Sequence, residues 1–367
     1  MSGRIVLFGA TGYTGDLTAR ALVDRGVRPV LAARGAGRLE KLAAELGGLE
    51  TRVADVAAPA TLTDLVERGD VLVSTVGPFV RMGEPAVQTA IAAGAHYLDS
   101  TGEGPFIRGV FQRHGPAAQA AGCGLLTAFG HDWVPGNLAG ALALREAGDR
   151  AVRLEIGYFA TGSPGPGAAS GGTRATLAEG LLDRSYTYRG GRLVSESLAR
   201  RVRSFDLGGR SASAVSIGGT EQFALPRLQP ALRDLDVYLG WAGSLSRVVQ
   251  AASAAGTLVT RIPGARGAIH RIVRPLAPGS SGGPDAEARS RTGTLVVAEA
   301  FDAAGTQISA VRLSGVNPYD FTAAILAWGA ETAAAGGLQG TGALGPVDGF
   351  GLEALVRGCA EAGISRT

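Results

Sequence analysis

The stretch Gly9-Ala10-Thr11-Gly12-Tyr13-Thr14-Gly15 follows directly on the apolar run Ile5-Val6-Leu7-Phe8 and opens a segment with helical spacing. Glycines at every third position between a strand and a helix suit a turn whose backbone must come close to a ligand. Gly9 permits the tight turn, Gly12 keeps a side chain out of the approach, and Gly15 lets the helix lie against the strand. The helix N-terminus then presents unpaired N–H groups and a positive dipole end to phosphate oxygens, with Thr11, Tyr13 and Thr14 beside them. With 57 glycines in the chain, such a motif alone is weak. Its force comes from its place, at the first step of a repeating pattern.

That pattern runs to residue 130. Short β-branched or leucine-rich runs at 5–8, 30–33, 51–54, 71–75, 97–99 and 125–128 read as strands. Between them, apolar residues at helical spacing predict helices over 16–25, 37–46, 59–68, 84–93 and 106–121. Strands alternating with helices make a doubly wound parallel sheet, a Rossmann domain over 1–130. After Gly130 the runs lengthen and alternate (153–159, 185–194, 294–301, 306–314), which predicts a second α/β domain on a mixed, largely antiparallel sheet over 131–318. Helices are expected at 319–335 and 351–362, within a C-terminal segment, 319–367, that returns toward the first domain. The stretches 161–172 and 275–283 are rich in Gly, Pro and Ser and read as loops.

Composition bounds the function. A chain of 367 residues, 46% apolar and 18% charged, can fill two cores, and two domains imply a cleft. Net charge is +3 with scattered arginines, so nucleic acid is not an expected partner. Lys41 is the only lysine, leaving 34 of the 35 basic residues as arginine. Short-chain dehydrogenases of the usual kind need a tyrosine with a lysine four residues on, and Lys41 has no such tyrosine before it. Cys123, Cys359 and four histidines have neither disulfide nor zinc spacing, so no metal is expected. The opening Met1-Ser2-Gly3-Arg4 enters a strand without a signal-type apolar region, and the long apolar stretches 120–144 and 237–259 are broken by charge. The expectation is a cytoplasmic protein without a membrane span.

The second strand ends Leu31-Ala32-Ala33-Arg34, where NAD-binding domains usually carry an acid for the ribose 2′-hydroxyl. Arginine there favours NADP(H), whose 2′-phosphate wants a bidentate cation. Arg38 suits the same phosphate or the adenine face, and equally a solvent-facing helix position. Asp55 stands where such domains touch the adenine, and equally suits a loop carboxylate. Thr75-Val76-Gly77-Pro78-Phe79 leaves the fourth strand on the edge expected for the nicotinamide ribose.

Two further clusters leave the sheet on that edge. His96-Tyr97-Leu98-Asp99-Ser100-Thr101-Gly102-Glu103 follows the fifth strand, with Asp99 and Glu103 suited either to substrate or to helix capping. Gly130-His131-Asp132-Trp133-Val134-Pro135-Gly136 interrupts an apolar run after the sixth, where ionisable groups are costly unless paired or used. His131 can donate a proton near neutral pH with Asp132 holding its ring, Tyr97 is a second donor candidate, and Trp133 a substrate contact. A buried, hydrogen-bonded His131 with a capping Asp132 is the competing reading.

These residues resemble the saccharopine dehydrogenase-like family, which includes the saccharopine reductases and the bacterial trans-acting enoyl reductases. The resemblance rests on Gly9 to Gly15, Gly77-Pro78-Phe79 with Gly83-Glu84-Pro85, His96 to Glu103, and Asp132-Trp133-Val134-Pro135. Ser170-Gly171-Gly172-Thr173 looks like the family's substrate-domain turn, which marks Ser170, Gly172 and Thr173 as substrate candidates, and Gly345 to Gly351 is also similar. The resemblance implies NADPH as reductant, a substrate domain whose sheet serves dimerisation, and so a homodimer. Where the family commonly reads Gly-Phe-Asp, this chain has Gly130-His131-Asp132. Saccharopine's several carboxylates would want an arginine cluster that is not apparent. The expected activity is therefore NADPH-dependent reduction of an activated C=C, C=N or C=O bond in a small or carrier-bound substrate, in lipid or natural-product biosynthesis. A saccharopine-type dehydrogenase and a non-catalytic NADP-binding sensor or scaffold are the alternatives.

Overall fold

In the computed structural model, described for residues 3–163, 184–240, 246–247, 249–251, 253 and 282–367, two sheets organise the chain. The first is all parallel. Its strands are β1 (Ile5–Phe8), β2 (Val30–Ala33), β3 (Thr51–Val53), β4 (Val71–Ser74), β5 (His96–Asp99) and β6 (Gly124–Leu126), in the spatial order β3-β2-β1-β4-β5-β6. β1, β2 and β4 are buried at every residue because helices cover both faces, which is why they read as unbroken apolar runs. The order reverses between β1 and β4, and ligands of such sheets bind at that switch point, beyond the strand C-termini. Helix α1 (Tyr13–Asp24) leaves from there.

The helix expected over 59–68 is a single 3₁₀ turn, Pro59–Leu62. Thr61 Oγ1 accepts from the Asp55 amide (2.9 Å) and donates to the Ala58 carbonyl (2.7 Å), local bonds that compete with a helical ladder. The helix expected over 106–121 starts at Gly104 and widens into a π turn over Val110–His114. Pro116, which follows, has no amide to continue the ladder. A short strand, Gly342–Ala343, extends the sheet beside β6 and had no sequence signal, being two small residues without periodicity.

The second sheet is mixed. Its strands are β7 (Arg153–Gly162), β8 (Arg184–Arg189), β9 (Arg192–Ser197), β10 (Val202–Asp206), β11 (Ser211–Ile217), β12 (Asp234–Leu239), β13 (Thr292–Phe301) and β14 (Gln307–Gly315), and the terminal strand Ile364–Arg366 pairs with β14. The path runs β10-β11-β12-β7-β13-β14, with β7 and β12 parallel and its other pairings antiparallel. The single run read over 185–194 is instead the hairpin β8–β9. Gly190 and Gly191 have φ of 56° and 78°, the pair of left-handed residues a two-residue hairpin turn requires.

Two helices join the sheets. Val134–Ala147 starts just past β6, is buried along nearly its whole length, and crosses β7, β13 and β14. Pro318–Ala334 brings the chain back from β14 onto α1 and the first sheet, where Gly329 lies against Phe129 and Leu98. The loop between β6 and residue 134 is thus the hinge of the architecture. Among the described residues no helix is long and apolar enough to cross a membrane.

Candidate cofactor and active site

The glycine turn is built from backbone. Gly9 has φ of 91°, and a Cβ there would stand 2.7 Å from Thr75 Oγ1. Thr75 in turn hydrogen-bonds the Phe8 and Gly9 carbonyls, fixing β4 against the turn. A Cβ on Gly15 would collide with the Gly9 carbonyl, so the helix can sit directly on the turn only with glycine there. Gly12 is the exposed N-cap of α1, and no side chain caps that first turn. A helix start left open beside backbone that no side chain screens suits a pyrophosphate. Thr11 and Thr14 are half-buried beside it. Tyr13 turns the other way: its hydroxyl donates to the Pro284 carbonyl (2.5 Å), Arg289 donates to it (3.2 Å), and its ring meets Tyr319 edge-on.

Arg34, at the end of β2, is exposed and has no ion-pair partner among the described residues. Arg38 is also exposed, with its guanidinium beside Gly35. Both cations lie at or just beyond the C-terminal end of β2. Asp55 is tied up in its own loop, accepting from the Ala57 amide (3.0 Å). After β4, Val76, Gly77 and Pro78 are half-buried, while Phe79 is buried against Phe106 with ring centres 5.5 Å apart.

At the exit of β5 the two carboxylates are held by neighbouring backbone amides, while the buried Tyr97 hydroxyl has no hydrogen-bond partner among the described residues. Asp99 is fully buried, and its carboxylate accepts from the amides of Thr101 (2.9 Å) and Ala128 (2.8 Å) and from Thr127 Oγ1 (2.7 Å). Burial pushes its carboxyl up to about 6 despite these bonds. Glu103 accepts from the amides of Phe79 and Val80, both at 2.8 Å, and so caps the short helix Phe79–Met82. Tyr97 is wholly enclosed, and burial, reinforced by Asp99, holds its phenol well above the usual range.

At the exit of β6 the chain turns through the other cluster. His131 is buried and its two ring nitrogens face Thr294 Oγ1 on β13 (2.7 Å) and Asp132 Oδ1 (3.4 Å). Its amide donates to Thr322 Oγ1 (3.0 Å), and its ring meets Tyr158 and Phe321 edge-on. His131 therefore knots the first sheet, the second sheet and the returning helix together. Asp132 is different: its side chain is 32% exposed, and Oδ2 lies over Gly102, where a Cβ would be 2.9 Å away. That places Asp132 between the two strand exits with an open side. Trp133 turns inward, fully buried and edge-on to Tyr158 (5.3 Å). Ser170, Gly172 and Thr173 lie outside the described residues.

Below this turn is a buried polar group that sequence reading missed. Tyr158 Oη on β7 accepts from the Gly136 amide (2.8 Å) and lies 2.6 Å from Glu221 Oε1 and 3.2 Å from the Trp133 carbonyl. Asn137 Nδ2 donates to the Trp133 carbonyl (2.9 Å) and to Thr220 Oγ1 (2.8 Å). The available signal was faint: Gly218-Gly219-Thr220-Glu221 follows a strand, but nothing local says that it faces residue 133.

Comparison with known proteins bears first on the parallel sheet. Residues 5–123 match the family model of the saccharopine dehydrogenase NADP binding domain. The match lies within the first sheet and its helices. The whole chain also superposes on apo saccharopine dehydrogenase (L-Glu forming) from Saccharomyces cerevisiae, with a TM-score of 0.61 and 12% identity over 100% of this chain and 99% of that one. The likeness is one of fold, and it includes the second sheet. In sequence it is 36% identical over 199 residues to trans-acting enoyl reductases of Mycobacterium ulcerans (strain Agy99) and Mycobacterium leprae (strain TN), covering 52% of this chain and 48% of each relative. The chain thus spans about half the length of the curated relatives it matches. Among its described residues no group of three or more His, Cys, Asp or Glu is placed to hold a metal ion.

Proposed function

We propose that this chain is an NADPH-dependent reductase that adds hydride to an activated double bond of a small or carrier-bound substrate, in lipid or natural-product biosynthesis. The observation that carries the reading is the single sheet edge on which the open start of α1, the exposed Arg34 and the half-open Asp132 all lie. The family match over residues 5–123 and the enoyl reductase relatives support the same cofactor and reaction class.

The amides at the start of α1, with Thr11 and Thr14, would hold the pyrophosphate, while Arg34, with Arg38 beside it, would read the 2′-phosphate. Val76, Gly77 and Pro78 would flank the nicotinamide ribose. Bound there, the nicotinamide supplies hydride. Asp132, half-open on the same edge, would orient the acceptor or hold a proton at its carboxylate. His131 acts behind it, since both ring nitrogens are engaged by protein groups. Tyr97 is too enclosed to serve as the donor. Within this proposal residues 1–130 bind the cofactor, 131–318 the substrate, and 319–367 close the first domain; a cytoplasmic homodimer belongs to the same reading and is checked by light scattering.

The test is NADPH oxidation with a trans-enoyl thioester, beside calorimetry with NADP⁺ and NAD⁺. Gly12→Asp puts a carboxylate into the phosphate approach and should abolish both binding and turnover. Undiminished turnover in that variant would refute the assignment.

A further inference from the structure

Glu221 is completely buried, and Oε2 has no hydrogen-bond partner among the described residues. Its other oxygen, Oε1, is 2.6 Å from Tyr158 Oη. Burial pushes its carboxyl up to about 8, and the nearby Asp132 charge acts in the same direction. The groups around it are Tyr158 on β7, Tyr186 on β8, Trp133 and Asn137 at the start of the crossing helix, Thr220 beside it, and Asp132; no arginine ion-pairs with it among the described residues.

Tyr158 Oη has three polar neighbours and one proton. The Gly136 amide donates to it, so that proton goes either to Glu221 or to the Trp133 carbonyl. With a neutral acid whose proton lies on Oε1, Glu221 donates to Tyr158 and Tyr158 donates to Trp133. Each of the three groups then has a hydrogen bond, and of their oxygens only Glu221 Oε2 is left without a partner among the described residues. Once the acid releases its proton to solvent, Tyr158 must turn its own toward the carboxylate. The Trp133 carbonyl then keeps only the Asn137 amide (3.2 Å) and Nδ2 (2.9 Å).

We propose that neutral Glu221 is a positioning residue for the His131–Asp132 turn, acting through Tyr158, which holds the backbone at the Trp133 carbonyl and the Gly136 amide. The residue next in the chain to Trp133 is Asp132, so the state of Glu221 sets where the half-open carboxylate stands. The inference rests on the reductase reading for its kinetic consequence but not for its structural one.

The test reads both. Trp133 emission in the full chain, titrated from pH 6 to 10, should show a one-proton transition near the Glu221 midpoint that is lost in Trp133→Phe and in Glu221→Gln, whose amide still donates to Tyr158. Turnover of the wild type should fall about tenfold per pH unit above that midpoint, while Glu221→Gln stays flat with unchanged KM for NADPH. The same emission transition in Glu221→Gln would overturn the proposal. Should that variant not fold, Asp132→Asn removes the neighbouring charge and should move the emission midpoint to lower pH; an unmoved midpoint overturns it equally. A wild type with the emission transition but no NADPH turnover would sink the reductase reading alone.

Discussion

The exits of β5 and β6 lie side by side on one sheet edge, and each carries an acid that sequence alone treats as a site candidate. Asp99, at the first, spends its oxygens on two amides and a hydroxyl of its own sheet edge and is sealed from solvent. Asp132, at the second, keeps a third of its side chain open and has one long contact to His131. The difference teaches that position on a ligand-binding edge is not enough. What separates a scaffold acid from a working one is how many of its lone pairs the protein already uses.

The comparison predicts opposite phenotypes. Asp132→Asn should lower kcat by on the order of 100-fold or more with little change in melting temperature, if it orients the acceptor or holds the proton. A full-rate Asp132→Asn enzyme would move the working acid elsewhere. Asp99→Ala should do the reverse, leaving buried amides without an acceptor at a cost of about 2–4 kcal/mol in urea unfolding. The same residue has a pH signature. Its carboxyl is raised in the fold, from an ordinary 3.8 to about 6, so the stability tied to its protonated form is complete below about pH 4 and declines as pH rises through 6. Asp99→Asn should flatten the stability profile across that window, and an unchanged slope would contradict the assignment.

Arg34 extends the contrast to β2, being an exposed charge with no ion-pair partner among the described residues. Removing it should raise KM for NADPH by roughly 10–100-fold, the worth of charge-assisted hydrogen bonds to a phosphate, and barely touch NADH. Equal losses for both nucleotides would mean it does not read the 2′-phosphate. The smallest effect belongs to Glu103→Gln, which keeps one acceptor for the Phe79–Met82 helix and should cost about 1 kcal/mol in stability, with turnover nearly intact. A large kinetic defect there would place Glu103 with Asp132 after all.

Much of the first sheet was legible because its information is local. The run Ile5 to Phe8 followed by the glycine turn, and the parallel strands after it, appear within a residue or two of where periodicity puts them. Where local signals failed, a neighbouring bond or residue overrode periodicity, as Thr61 did in the loop after β3 and Pro116 in the widened helix. The hairpin at Gly190 and Gly191 was readable in principle, since two glycines between alternating runs demand left-handed backbone.

The sequence by itself determined that a glycine turn after a buried strand starts an uncapped helix, and that a cation ends the next strand. Those are statements about neighbours in the chain, governed by sterics and dipoles over a few residues. Only the tertiary structure decided that Asp99 is spent and Asp132 open, that Thr294 holds His131 across 163 positions, and that Tyr158 and Glu221 meet under Trp133. Hydrogen bonding and desolvation depend on distance through space, and folding alone sets which distant residues share one.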